Sequence, residues 1–176
     1  MRVRRVVTGH DAHGHSVFVI DDVAPRSKSF QDVPGYGIAQ LWATAVDGES
    51  DSDLTAANAS LIPGPGGTSL LMVSLPPDTV MAAPIQPERA LAEMIDFLPG
   101  LIESFEKEDP AMHCTPTLDY GVLLEGELWL ELDNGEQRLL QVGDVIIQHG
   151  TRHAWRNRSS SPAKALFFML GVEPNS

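Results

Sequence analysis

The chain has 176 residues, 43% of them hydrophobic, which is enough for one domain with a full core. Its 24 acidic and 12 basic residues leave a net charge of −12, a field that repels phosphate backbones and anionic headgroups, so neither nucleic acid nor membrane is expected as a partner. The lone cysteine, Cys114, excludes an intrachain disulfide, and no apolar run reaches the ~18 residues of a membrane span or follows the basic N-terminus as a signal peptide would, so a cytoplasmic protein is expected.

Val3 to Thr8 and Ser16 to Ile20 read as strands around a His-rich turn holding His10, His13 and His15. Gly37 to Ala45 reads as a third strand, and Asp47 to Asn58 as an exposed acidic loop. Pro63 to Gly67 is too rich in Pro and Gly for regular structure and is a linker candidate. Thr68 to Leu75 is again a strand. Leu91, Met94, Ile95 and Leu98 recur at helical spacing, so Pro87 opens a helix with those four on its buried face. Pro99 should break it, with a second short helix to about Phe105.

From Met112 the strands come densely, at Tyr120–Leu124, Glu127–Leu132, Arg138–Val142, Asp144–Gln148, Arg152–Asn157 and Ala163–Leu170. Asp133-Asn134-Gly135 supplies the positive φ that a tight hairpin needs. Six short strands at this spacing predict a sandwich or barrel. The expected organisation is one domain over 1–176, with N-terminal strands and loops at 1–79, a helical insert at 80–110 and the barrel at 111–171.

Strand alternation puts His113, Thr115, Thr117 and Asp119 on one face, and His153, Trp155 and Asn157 on one face of a second segment. His113 and His153 are then expected to face a common interior pocket. Cys114 points away from it, and His149 sits at its mouth. Val122, Leu124 and Leu130 are taken as apolar interior positions, which suits a carbon-rich ligand. The His10, His13, His15 cluster, with Asp11, is a weaker metal candidate than a solvated loop.

The two segments resemble the paired signature motifs of the cupin superfamily. In the first, His113, Thr115, Asp119 and Gly126 occupy the positions of His, His, carboxylate and Gly. In the second, Gly143-Asp144 opens the motif, Gln148 stands in the Pro position, and Gly150, His153 and Asn157 follow. The resemblance covers about Met112 to Leu170. It implies an all-β fold, a double-stranded β-helix (jelly-roll barrel) with extra N-terminal strands and a short helical insert. It also implies one divalent metal (Fe, Mn, Zn, Ni or Cu), carried over to His113, Asp119 and His153, and a homodimer. Two imidazoles and one carboxylate form a facial set with open positions. Two departures weaken it: Thr115 is no strong ligand, and Asp119 is a methylene shorter than Glu.

The function this implies is a small-molecule enzyme of cupin type, an oxidoreductase, lyase or isomerase with dioxygenase, decarboxylase, isomerase or polyketide-cyclase-like chemistry. His113, Asp119 and His153 would be its catalytic residues, and Thr115, Thr117, Tyr120 and Trp155 would hold substrate. The alternatives are a metal-free binding or sensing module, and a metal-free catalyst with His113 or His153 as general base.

Overall fold

In the computed structural model, residues 1–45, 55 and 59–173 are described; all but Thr55 of the expected acidic loop at 47–58 lies outside them. Eleven strands and two helices are formed among the described residues. They are β1 (Arg4–His10), β2 (Ser16–Val23), β3 (Arg26–Ser29), β4 (Gly37–Thr44), β5 (Thr68–Leu75), α1 (Asp78–Met81), α2 (Pro87–Phe97), β6 (Thr117–Glu125), β7 (Leu128–Glu131), β8 (Gln137–Leu140), β9 (Val145–His149), β10 (Ala154–Arg156) and β11 (Ala163–Gly171). The main sheet is six-stranded and antiparallel, in the order β3-β4-β5-β11-β6-β9. A three-stranded sheet, β10-β7-β8, faces it, and β1-β2 forms a separate ribbon.

The two larger sheets close on a shared core. Leu123 of β6, Leu128 of β7 and Ala163 and Ala165 of β11 are buried together, with Trp155, Leu140 and Phe167 packed around them. Full burial of a Leu stabilises by roughly 1.5–3 kcal/mol, so Leu123 and Leu128 anchor the closure. A second core lies between the inner face of β4-β5-β11 and α2, through Ile38, Leu71, Met169, Ala90 and Leu98. The expected all-β barrel class is therefore present, with its helical insert as one wall.

Several expectations need correction. The inward face of α2 is Ala90, Met94, Phe97 and Leu98, while Leu91 and Ile95 are exposed. Two apolar stripes overlap on this helix, and contact with the sheet selects the one that meets Ile38 and Leu71. The helix does stop before Leu98, and a 3-10 turn at Ile102–Ser104 follows. Pro63 to Gly67 is no linker: Gly66 N donates to Gly171 O at 2.8 Å and Gly171 N to Gly67 O at 2.9 Å. A Cβ on Gly171 would meet Gly64 O, so the turn seats directly on the end of β11. Asn134 and Gly135 adopt φ of 59° and 72°, as the β7-β8 hairpin requires.

Candidate active site

His113 and His153 sit just before β6 and β10 and form an isolated antiparallel bridge. Each donates its backbone N–H to the other's carbonyl at 2.9 Å. That pair of hydrogen bonds fixes the two Cα atoms directly opposite each other and sends both side chains to one side. The ring centroids are 4.1 Å apart, and only 8% and 3% of the two residues is exposed.

Each ring is oriented by the backbone two residues earlier. His113 Nδ1 lies 3.1 Å from Ala111 O, and His153 Nδ1 lies 2.8 Å from Thr151 O. A carbonyl can only accept, so Nδ1 carries the proton in both rings and each Nε2 keeps its lone pair. Burial pushes the basicity of His113 down. His153 is pushed down to about 4, first by burial and then by a charge on His113. At neutral pH the site holds two uncharged imidazoles.

Their flanks are aromatic. Phe105, at the end of the helical insert, lies 4.6 Å from His113 by ring centroid. Trp155 meets His153 edge-on at 5.6 Å and stacks obliquely on Phe167 at 5.2 Å. The segment carrying Phe105 is held down by charge. Arg152 makes a bidentate pair with Glu106 (2.5 and 2.7 Å) and reaches Asp133 at 2.7 Å. Arg156 joins Asp109 and Glu131, both at 2.7 Å.

Along the inner face of β6, Thr115 and Thr117 are buried and their hydroxyls are hydrogen-bonded at 2.7 Å. Asp119 follows on the same face, 6% exposed, with Oδ1 buried and unpaired. Burial pushes the Asp119 carboxyl up, partly offset by Thr117. Its register partner on β9 is Gln148, 4% exposed, whose Nε2 is likewise buried without a partner. Gln148 was not expected in the site, although its alternation with buried Ile146 was readable in the sequence.

The structure therefore brings together His113, His153 and Trp155, and lines the same inner face with Thr115, Thr117 and Asp119. Tyr120 falls on the outward face, 45% exposed beside Phe168, and does not reach the site. Val122 and Leu124 share that outward parity, whereas Leu130 pairs with Trp155. Cys114 points away, its Sγ donating to Gly150 O at 3.1 Å, and His149 is exposed. Asn157 is structural: it ties β10 to Asp78, Leu75 and Ser161. Among the described residues no three His, Cys, Asp or Glu side chains are grouped to hold a metal ion, at the histidine pair or at His10, His13 and His15. Two imidazoles without a gathered carboxylate, beside a threonine whose hydroxyl is already bonded, do not fit the resident metal that the resemblance implies.

The Cupin domain family matches residues 102–169. Phomopsin biosynthesis cluster protein C' of Diaporthe leptostromiformis is 34% identical over 175 residues, covering 97% of this chain and 79% of that protein. The cupin-domain-containing oxidoreductase fogC of Aspergillus ruber is 30% identical over 174 residues, covering 96% of this chain and 72% of that protein. Among solved structures, the Schizosaccharomyces pombe Cnp3 cupin domain resembles it at a TM-score of 0.48 and 9% identity, over 96% of this chain and 87% of that one.

Proposed function

The chain belongs to the cupin superfamily, and from that premise we propose that it is a small-molecule enzyme of secondary metabolism whose His113–His153 pair transfers a proton. The observation that carries this is the pair itself: two buried neutral imidazoles, each with Nδ1 tied to a carbonyl and Nε2 free. A free Nε2 in an apolar setting is a general base. It would take a proton from an acidic C–H or O–H and leave an enolate or phenolate. The low basicity of His153 means that the proton is handed back easily, which suits isomerisation or enolate-driven ring closure. Relatives named as biosynthesis-cluster proteins and as cupin-domain-containing oxidoreductases support the setting in biosynthesis. For an oxidative reaction the same deprotonation would be the opening step. Trp155 and Phe105 exclude water and favour a carbon-rich substrate.

A generic probe tests the base without knowledge of the substrate. In 5-nitrobenzisoxazole, removal of the C3 proton breaks the ring N–O bond and releases a coloured phenolate. The expected result is turnover above that of free imidazole, unchanged by EDTA and reduced at least about tenfold in His153→Ala or His113→Ala, within the usual range for general-base catalysis. Turnover that EDTA abolishes, or that both variants keep, would contradict the proposal. Tight probe binding with no turnover would favour a binding module instead.

A further inference from the structure

The chain carries twice as many carboxylates as cations, yet its most buried arginine holds none among the described residues. Arg26 opens the edge strand β3 and is 7% exposed. Arg4, Arg89, Arg152 and Arg156 each hold a carboxylate at 2.5 to 2.7 Å. Among the described residues Arg26 has only neutral neighbours. Its Nη1 donates to Gln40 Oε1 at 3.0 Å, its Nη2 reaches Phe97 O at 3.5 Å, and its guanidinium lies 5.9 Å from the Phe97 ring centre. Of the five N–H donors of a guanidinium, most remain unspent.

The group is also held in place. Gln40 is 2% exposed, and its Nε2 donates to Ser69 Oγ at 3.0 Å, which fixes the amide with its oxygen towards Arg26. Arg26, Gln40 and Ser69 belong to the inner face of the main sheet, in a band that continues through Met169 to Asp119 and Gln148. A buried charge without a counter-charge is strongly unfavourable. The Phe97 carbonyl at the end of α2 compensates weakly, since 3.5 Å is at the limit of a hydrogen bond. Burial, with no opposing carboxylate, pulls the guanidinium below its usual range.

We propose that Arg26, braced by Gln40 and Ser69, is an anion-binding subsite on the inner face of the barrel, and that it takes the carboxylate of a small carbon-rich molecule. A guanidinium fork matches a carboxylate with two parallel bonds. It gives a locally positive point inside a molecule of net charge −12, where an anionic ligand otherwise meets repulsion. Calling that molecule the substrate rests on the enzymatic reading above; the binding itself does not.

The test uses benzoate and its neutral isostere benzamide, followed by calorimetry and thermal unfolding of the full chain. Wild type should bind benzoate saturably and be stabilised by it, and should ignore benzamide. Arg26→Met should bind benzoate at least about tenfold more weakly, while its ligand-free melting temperature is no lower than that of wild type, because an uncompensated buried charge is gone. Arg26→Lys keeps the charge without the fork and should fall between the two, which decides the matter if the Met variant does not fold. His153→Ala should keep full benzoate affinity, so loss of the proton-transfer reading leaves this result standing. Equal affinity for benzoate and benzamide, or benzoate binding undiminished in Arg26→Met and Arg26→Lys, would overturn the subsite. A ligand-free Arg26→Met that melts well below wild type, in a protein indifferent to benzoate, would show Arg26 to be only a cap on α2.

Discussion

His113 and His153 face each other across a doubly hydrogen-bonded bridge, with ring centroids 4.1 Å apart. The arrangement is paid for in acid. The folded protein holds His153 neutral down to about 4, whereas the unfolded chain takes up the proton near the ordinary ~6.5 of histidine. The unfolded state therefore binds more protons between those values, and stability rises with pH through that window. It is full above the unfolded value and is lost as pH falls towards 4. A shift of this size is worth up to about 3 kcal/mol, and His113 adds to it with the same sign. Urea unfolding at pH 7, 5.5 and 4.5 should show this decline, and His153→Ala should flatten it.

Asp119 has the opposite sign. Burial raises its carboxyl, so its contribution favours the folded state at low pH and is lost as pH rises through the folded value. At pH 7 an ionised Asp119 with an unpaired buried oxygen is a cost. Asp119→Asn should therefore stabilise by about 1 kcal/mol at pH 7, with the gain vanishing near pH 3.5. A variant destabilised at pH 7 would mean that the carboxylate has a stronger partner than the Thr117 hydroxyl.

The segment over the pair sets access to it. Phe105→Ala uncovers one side of His113, and Arg152→Gln frees Glu106, and with it the same segment, from the link through Arg152 to Asp133. Both should raise the rate at which diethylpyrocarbonate labels His113, read by peptide mass spectrometry, by at least about threefold. Added salt should speed labelling of wild type more than that of Arg152→Gln, which keeps only the Arg156–Asp109 pair, since ion pairs of this exposure are screened.

The threonine pair separates structure from recognition. Thr115→Val removes one hydrogen bond and leaves the buried Thr117 hydroxyl to Asp119, so it should cost about 1 kcal/mol. Thr117→Val takes away the hydroxyl that Thr115 and Asp119 share and should cost more, both read by urea unfolding. If Thr115→Val stays folded at the assay temperature but loses turnover of the probe, its hydroxyl acts on the ligand.

Much of this site could be read from alternation alone. Period two placed Thr115, Thr117 and Asp119 on one face of the β6 segment, and the structure buries all of them. The same rule already forbade Val122 and Leu124 from joining Asp119, and treating those apolar residues as interior set composition against parity. The inward stripe of α2 was ambiguous because Leu91 and Ile95 are as apolar as Met94 and Phe97, and only the facing sheet distinguishes them. β3, Arg-Ser-Lys-Ser, has no apolar alternation, so neither the strand nor the burial of Arg26 was readable. Whether Asp119 gathers with the two histidines depends on how strands curve across the barrel, which spacing does not encode.

The chemistry proposed for the pair requires both imidazoles to be neutral, protonated on Nδ1 and open at Nε2. Long-range proton–nitrogen NMR of protein labelled with ¹⁵N-histidine reads this directly. At pH 7.5 both rings should show a protonated Nδ1 and a bare Nε2, with shifts unmoved by EDTA. An imidazolium at either residue at pH 7.5, a proton on Nε2, or an Nε2 signal that EDTA displaces would contradict it.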